Sequence, residues 1–245
     1  LVQLGVDPAR VFVTGNMKYD SVVVGRHQEG ADALRGWLSA GGERVLVAGS
    51  THDDEEAQVL DAVLALQRSP GAPQVRVVLV PRHPERSPSV CDAVEQRGGR
   101  AVRWSALRER QEWPPLEPGD VVVVDTIGQL QRFYAACDLA FVGGSLIPHG
   151  GQNMLEPAAL GRAVLFGPHT TNFRRDVELL LAAEAVVQVA TPQQFPAALD
   201  RLLRDDAARQ ALGARARQVI TDNQGATRRT LELVEDLLGT APVAR

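Results

Sequence analysis

The chain has 245 residues, 44% hydrophobic and 4% aromatic, with a formal net charge of −4. That length can bury a sizeable core, as one large α/β domain or two small ones, in which Val, Leu and Ala must replace aromatics as filling. The negative balance, with no basic block, argues against a nucleic-acid polymer as partner, and Cys91 and Cys137 lack the spacing of a zinc site or disulfide framework, which fits a reducing compartment.

The chain opens on Leu1 without a signal peptide, and no apolar run approaches the roughly 20 residues of a membrane span. It reads as a fragment of a longer protein. Arg10 to Thr14 predicts a short strand, closed by the turn pair Gly15-Asn16 and followed by Met17-Lys18-Tyr19-Asp20. Residues 21–44 read as a linker entering a short helix with Leu34, Trp37 and Leu38 on one face. From Val45 a rhythm begins. Strands are expected at 45–48, 75–80, 101–104, 121–124, 139–142, 163–166 and 186–189. Helices are expected at 53–67, 89–97, 129–136, from 153, at 172–183, 192–203, 205–221 and 226–238. Residues 105–119 form a Pro- and charge-rich excursion. This alternation predicts a Rossmann-like doubly wound parallel sheet, whose ligands bind beyond the carboxyl ends of the strands.

The loops after the strands therefore share one rim, and they are rich in functional groups. They offer Ser50, Thr51 and His52; Arg82, His83, Glu85 and Arg86; Asp125, Thr126 and Gln129; Ser145, His149, Gln152, Asn153 and Glu156; and His169 and Asn172. Four of the five histidines lie here, His27 being the exception. No HxxxH or HxH spacing favours a metal, and Gly49-Ser50-Thr51 lacks the nucleophile elbow of a Ser-His-Asp hydrolase.

Gly143 to Pro157 reads as a glycine-rich loop running into a helix, with Asn153 and Glu156 spaced like a capping box. Free backbone N–H groups at such a start suit a phosphate, although the same pattern also serves as an ordinary αβ corner. Arg82 can hold a phosphate through a bidentate fork, or instead pair with Glu85. Glu156 can accept from a ribose diol as well as cap its helix. Gly128 to Leu130 lets the main chain approach a planar base, or is an ordinary turn. Together these residues point to a nucleotide. All but one of the 26 basic residues are arginine, and the exception is Lys18. With Ala and Gly abundant, codon bias alone can account for the arginines; a compact ammonium kept at one place where arginine serves everywhere else suggests instead a specific use for it.

The motifs Thr14-Gly15-Asn16-Met17-Lys18-Tyr19-Asp20, Ser50-Thr51-His52, Pro81 to Arg86, Gly143 to Pro157 and Gly167 to Phe173 resemble the 3-deoxy-D-manno-octulosonic acid (Kdo) transferases. The resemblance runs from about Val11 to Leu238 and implies the C-terminal, donor-binding half of an inverting GT-B glycosyltransferase. It implies that residues 1–44 are an interdomain linker and first-strand region and that 45–221 bind the nucleotide sugar. Residues 222–245 would form a C-terminal helix packing on an N-terminal domain. The donor would be CMP-Kdo and the acceptor a lipid A precursor, bound by that N-terminal domain. The same domain would anchor the parent at the cytoplasmic face of the inner membrane, while this fragment stays soluble. Pro81, Arg82, Gly128, Gln129, Leu130, Asn153, Met154, Leu155 and Glu156 would contact the donor, with Ser50 and His52 beside them. Lys18 would help stabilise the transition state. No cofactor or metal is expected.

The family's catalytic base is a glutamate of the N-terminal domain, so this fragment alone is expected to be inactive. Asp53-Asp54 stands where the family has Glu-Gly, and Met154 where it has proline. The glycine-rich loop alone would also allow a UDP-sugar transferase, an epimerase or a non-catalytic nucleotide-binding module.

Overall fold

The structure, a computed structural model, describes residues 1–25 and 28–239. Seven strands form one parallel sheet: β1 (Arg44–Thr51), β2 (Val75–Pro81), β3 (Arg100–Arg103), β4 (Asp120–Val123), β5 (Leu139–Val142), β6 (Ala163–Phe166) and β7 (Val187–Gln188). Their order is β3-β4-β2-β1-β5-β6-β7. The helices are α1 (Ala31–Leu38), α2 (Glu55–Gln67), α3 (Ser87–Glu95), α4 (Leu130–Ala136), α5 (Leu155–Ala159), α6 (Arg174–Ala182), α7 (Phe195–Arg204), α8 (Asp206–Asp222) and α9 (Ala226–Leu238).

The sheet is covered on both faces, which is why its central strands are near-continuous apolar runs. On one face Leu46, Ala48, Leu79, Val123 and Phe141 pack with residues of α2, α3 and α7. On the other, Val45, Val47, Val78, Val122 and Ala140 meet α1 and α4, while Val142, Val164 and Phe166 meet α5, α6 and α8. All three tryptophans sit together at the edge of this second layer, with ring centroids 5.2 to 6.1 Å apart. β1 is hydrogen-bonded to β2 on one side and β5 on the other. The order of the chain reverses between β1 and β5, and crevices in such sheets open there.

One expected strand is absent. Residues 10–14 form no sheet pairing; Pro8–Arg10 is a 3₁₀ turn, and Val13 is 89% exposed. The sheet ends at β7 and β3, and the last residue of this segment, Thr14, meets α9 instead. Arg229 Nε donates to the Thr14 carbonyl, and the Thr230 and Thr14 hydroxyls are 3.0 Å apart. Asp20 caps the same helix, accepting from the Gly225 and Thr227 amides at 2.5 and 2.6 Å. The outer side of α9 leaves Leu231, Val234 and Leu237 exposed. His27 and residues 240–245 lie outside the described residues.

Candidate functional site: the rim of the parallel sheet

The loops after β1, β2, β4, β5 and β6 all meet at the carboxyl edge of the sheet. Between the first three lies a cleft of about 420 Å³. Its lining includes Ser50, Pro81, Arg82, Gly128, Gln129 and Leu130, six of the residues expected to contact a donor. Ile127, 86% exposed, forms part of its lip. Gly128 has φ +82, a conformation that favours glycine, and nothing lies within 4 Å of where a Cβ would stand. The main chain is therefore bare at that wall.

The two arginines of the β2 loop have different surroundings. Arg86 is bound by its neighbours: it donates to both carboxylate oxygens of Glu56 at 2.8 and 3.2 Å and to the Thr51 carbonyl at 3.3 Å, and it pairs with Asp53 at 2.5 Å. Burial works against its charge, but Glu56 and Asp53 outweigh that and hold it protonated. Arg82 is exposed and has no ion pair among the described residues. The alternative partner considered for it, Glu85, faces His83 at 3.6 Å instead.

The glycine-rich loop departs from expectation at its start. The amides of Gly144, Ser145 and Leu146 are not open to an external anion. They donate at 2.6, 2.9 and 3.0 Å to the carboxylate of Glu55, the first residue of α2 and fully buried. Glu55 also accepts from the His52 amide at 3.0 Å. Burial pushes the Glu55 carboxyl up from its ordinary range, and these four amides oppose the shift. The strands allow the loops this proximity through glycine: a Cβ on Gly143 would stand 2.4 Å from the Ser50 carbonyl. On its far side the loop is fastened to the one after β6. The Gly167 amide donates to Ser145 Oγ, and the Asn172 amide to the Gly150 carbonyl.

Further along, the loop carries amides that its own structure does not use, that of the buried Met154 among them. The amides of Gln152, Asn153 and Met154 make no hydrogen bond to other described residues. Asn153 and Glu156 interact, though not as a reciprocal capping box. Asn153 Oδ1 accepts from the Leu155 amide at 3.1 Å, and Asn153 Nδ2 donates to Glu156 Oε1 at 3.0 Å. The helix itself begins at Leu155, with Met154 as its cap residue, and Met154 and Leu155 are both buried. Burial raises the Glu156 carboxyl, opposed by the Asn153 amide and by the charge of Arg82. Asn153, Met154, Leu155 and Glu156 are not among the residues that line the cleft.

Three histidines gather where the β1, β2 and β5 loops meet. The His52 and His149 rings are 3.8 Å apart between centroids, and His83 stands edge-on to His52 at 6.0 Å. Gln152 Nε2 lies 2.9 Å from His52 Nε2. An amide nitrogen only donates, so His52 Nε2 must accept and its proton sits on Nδ1. Burial first, then the fields of His149, His83, Arg86 and Arg82, pushes His52 down to about 4. His52 is thus a neutral imidazole near pH 7. Among the described residues no group of three or more His, Cys, Asp or Glu is placed to hold a metal ion.

Lys18 stands apart from the cleft lining, on the β6 side of the rim. Its Nζ is 3.8 Å from Asp176 Oδ2 and 5.2 Å from the centroid of Phe173. Asp176 is buried and takes the Tyr19 hydroxyl on its other oxygen at 2.9 Å.

No protein-family model matches the chain. The 3-deoxy-D-manno-octulosonic acid transferase of Bordetella pertussis is 37% identical over 234 residues, covering 93% of this chain and 52% of that protein. The enzyme of the same name from Haemophilus influenzae is 34% identical over 236 residues, covering 96% and 53%. The C-terminal CMP-Kdo binding domain of WaaA from Acinetobacter baumannii superposes with a TM-score of 0.68 at 28% identity, over 79% of this chain and 99% of that domain. The chain belongs to the 3-deoxy-D-manno-octulosonic acid transferase family.

The chain spans about half the length of the Kdo transferases it matches. Its sheet is that of the C-terminal half of a GT-B glycosyltransferase. A UDP-glucose complex of Anabaena HepE shares the fold, with a TM-score of 0.58 at 15% identity. One departure from the Kdo transferase pattern has a structural counterpart. Asp54, where glycine is usual, has φ +71, and its side chain makes no capping hydrogen bond. Aspartate is among the few residues that visit this conformation. Glu55 and Glu56 open the helix expected at 53–67, but their burial and their partners across the loops were not legible in the sequence.

Proposed function

We propose that this chain is the donor-binding part of a glycosyltransferase that moves Kdo from CMP-Kdo to a lipid A precursor in lipopolysaccharide biosynthesis. The observation that carries this is the cleft at the carboxyl edge, with Arg82 exposed in its wall, in a chain that aligns with nearly all of a CMP-Kdo binding domain. The base lies against Gly128 to Leu130, where the main chain is bare. Glu156 accepts from the ribose. The phosphate meets Arg82 and the amides of Gln152 and Asn153, which are only partly buried.

In this reading an acceptor hydroxyl attacks the anomeric carbon as the bond to the CMP phosphate breaks, with inversion. The proton from that hydroxyl goes to a base outside this chain. The leaving group gains charge as it departs, so donors aimed at its phosphate lower the barrier. Lys18 adds a second cation from the β6 side. A monophosphate leaving group carries less charge than a diphosphate, so we propose that no metal or cofactor is needed. The acceptor-binding part, with any membrane anchor at the cytoplasmic face of the inner membrane, packs against the exposed side of α9. No described helix is long and apolar enough to cross a membrane.

Titration calorimetry with CMP and UMP tests the donor site. CMP should bind, UMP more weakly, and Arg82→Ala combined with Glu156→Ala should abolish the heat. Equal affinity for the two nucleotides, or no CMP binding at millimolar concentration, overturns the reading.

A further inference from the structure

We infer that Glu55 is a positioning residue of the donor site, a built-in anion that fills the amide nest of Gly144 to Leu146 and so sets the shape of the rim while denying that nest to the donor phosphate. The inference rests on the donor-site reading for its functional part and on geometry alone for its structural part.

Glu55 is fully buried yet touches two loops. Oε2 accepts from the Gly144 and His52 amides at 2.6 and 3.0 Å, and Oε1 from the Ser145 and Leu146 amides at 2.9 and 3.0 Å. Each oxygen thus takes two donors, which matches the lone pairs of an ionised carboxylate. Its place at the first turn of α2 adds the favourable end of the helix dipole. A nest of successive amides ordinarily receives an external anion such as phosphate. Here the receptor is occupied by the protein's own charge. The two loops it joins carry His52 on one side and His149, Gln152 and Asn153 on the other. The Gln152–His52 contact at 2.9 Å therefore depends on a carboxylate that never meets the ligand.

Glutamine at this position is a near-isostere with a specific fault. Its amide nitrogen must face two N–H groups in either orientation, so two buried donors lose their acceptor. The test compares Glu55→Gln, Glu55→Asp and Glu55→Ala, each first shown to be folded by circular dichroism. CMP affinity is read by calorimetry and the amide resonances of 144–146 by NMR. Glu55→Gln should weaken CMP binding about tenfold or more, the effect of one misplaced charge-assisted contact. Glu55→Asp should lose less. Formate should restore CMP affinity to Glu55→Ala, whose nest is empty, and not to Glu55→Gln, whose nest is filled. Wild-type affinity in Glu55→Gln, or no formate rescue of Glu55→Ala, overturns the inference. Should wild-type protein bind no CMP, the donor reading falls. The nest is then decided by the amide protons: their displacement in Glu55→Gln supports it, and unmoved resonances overturn it.

Discussion

Arg82 and Arg86 are one helical turn apart in sequence, and the structure predicts opposite consequences for removing them. Arg86→Ala leaves Glu56 with 4% side-chain exposure and no countercharge, although Thr51 Oγ1 still donates to it at 2.7 Å. Breaking a buried pair in this way costs about 3–5 kcal/mol. Arg86 is itself 19% exposed, so water recovers part of the loss and we expect about 2–4 kcal/mol. For a chain of this size that lowers the melting temperature by roughly 5–15 °C. Arg82→Ala removes an exposed group with no ion pair among the described residues and should change stability by less than about 0.5 kcal/mol. It should instead weaken CMP binding about ten- to a hundredfold, as loss of a charge-assisted contact does. Urea unfolding followed by tryptophan emission measures the first effect, because the three rings sit in one packed cluster. Calorimetry measures the second. The division of roles is refuted if Arg86→Ala unfolds at the wild-type urea concentration, or if Arg82→Ala costs as much stability as Arg86→Ala.

Other expectations follow from single sites. His52 is held down to about 4 against an unfolded value near 6.5, so the stability it contributes is complete above about pH 6.5 and is lost as pH falls through about 4. His52→Asn should flatten the unfolding curve in that window, and a variant that keeps the wild-type slope would contradict the assignment. Burial pushes the Cys137 thiol up to about 12, whereas Cys91 is only half-buried. A disulfide reagent at pH 8 should modify Cys91 in the native protein and Cys137 only on unfolding; equal native rates would sink this. A Cβ on Gly49 would stand 2.1 Å from Tyr134 Oη and 2.7 Å from Leu130 Cδ1. Gly49→Ala should therefore cost about 1–3 kcal/mol by overpacking. Tyr134→Phe in the same background should recover part of it, and unfolding midpoints that show no coupling would argue against the contact.

The architecture was legible because it rests on period and punctuation. Val121 to Val124 reads as a strand buried on both sides, and the strand found runs to Val123; each rim loop follows such a run. The residues lining the cleft were legible for the same reason, since carboxyl-end loops converge whatever their side chains. Partners across loops were not legible. Glu55 and the amides of 144–146 are some 90 positions apart in sequence, and a carboxylate at a helix start has an adequate local reason to be there. The strand expected at 10–14 failed through the opposite error. Its β-rich composition describes a preference, but with no neighbouring strand its last residue, Thr14, took the hydrogen bonds that α9 offered.

Lys18 gives the protein a handle of another kind. It is the only lysine among 245 residues, and its side chain is 55% exposed. A reductively methylated or acylated side-chain amine can therefore be in one place alone, on the rim beside Phe173. Isotope-labelled methyl groups there would give a single side-chain signal that reports on the surroundings of Phe173 and Asp176 directly. The same uniqueness makes the rim a site for attaching the protein to a surface in one orientation.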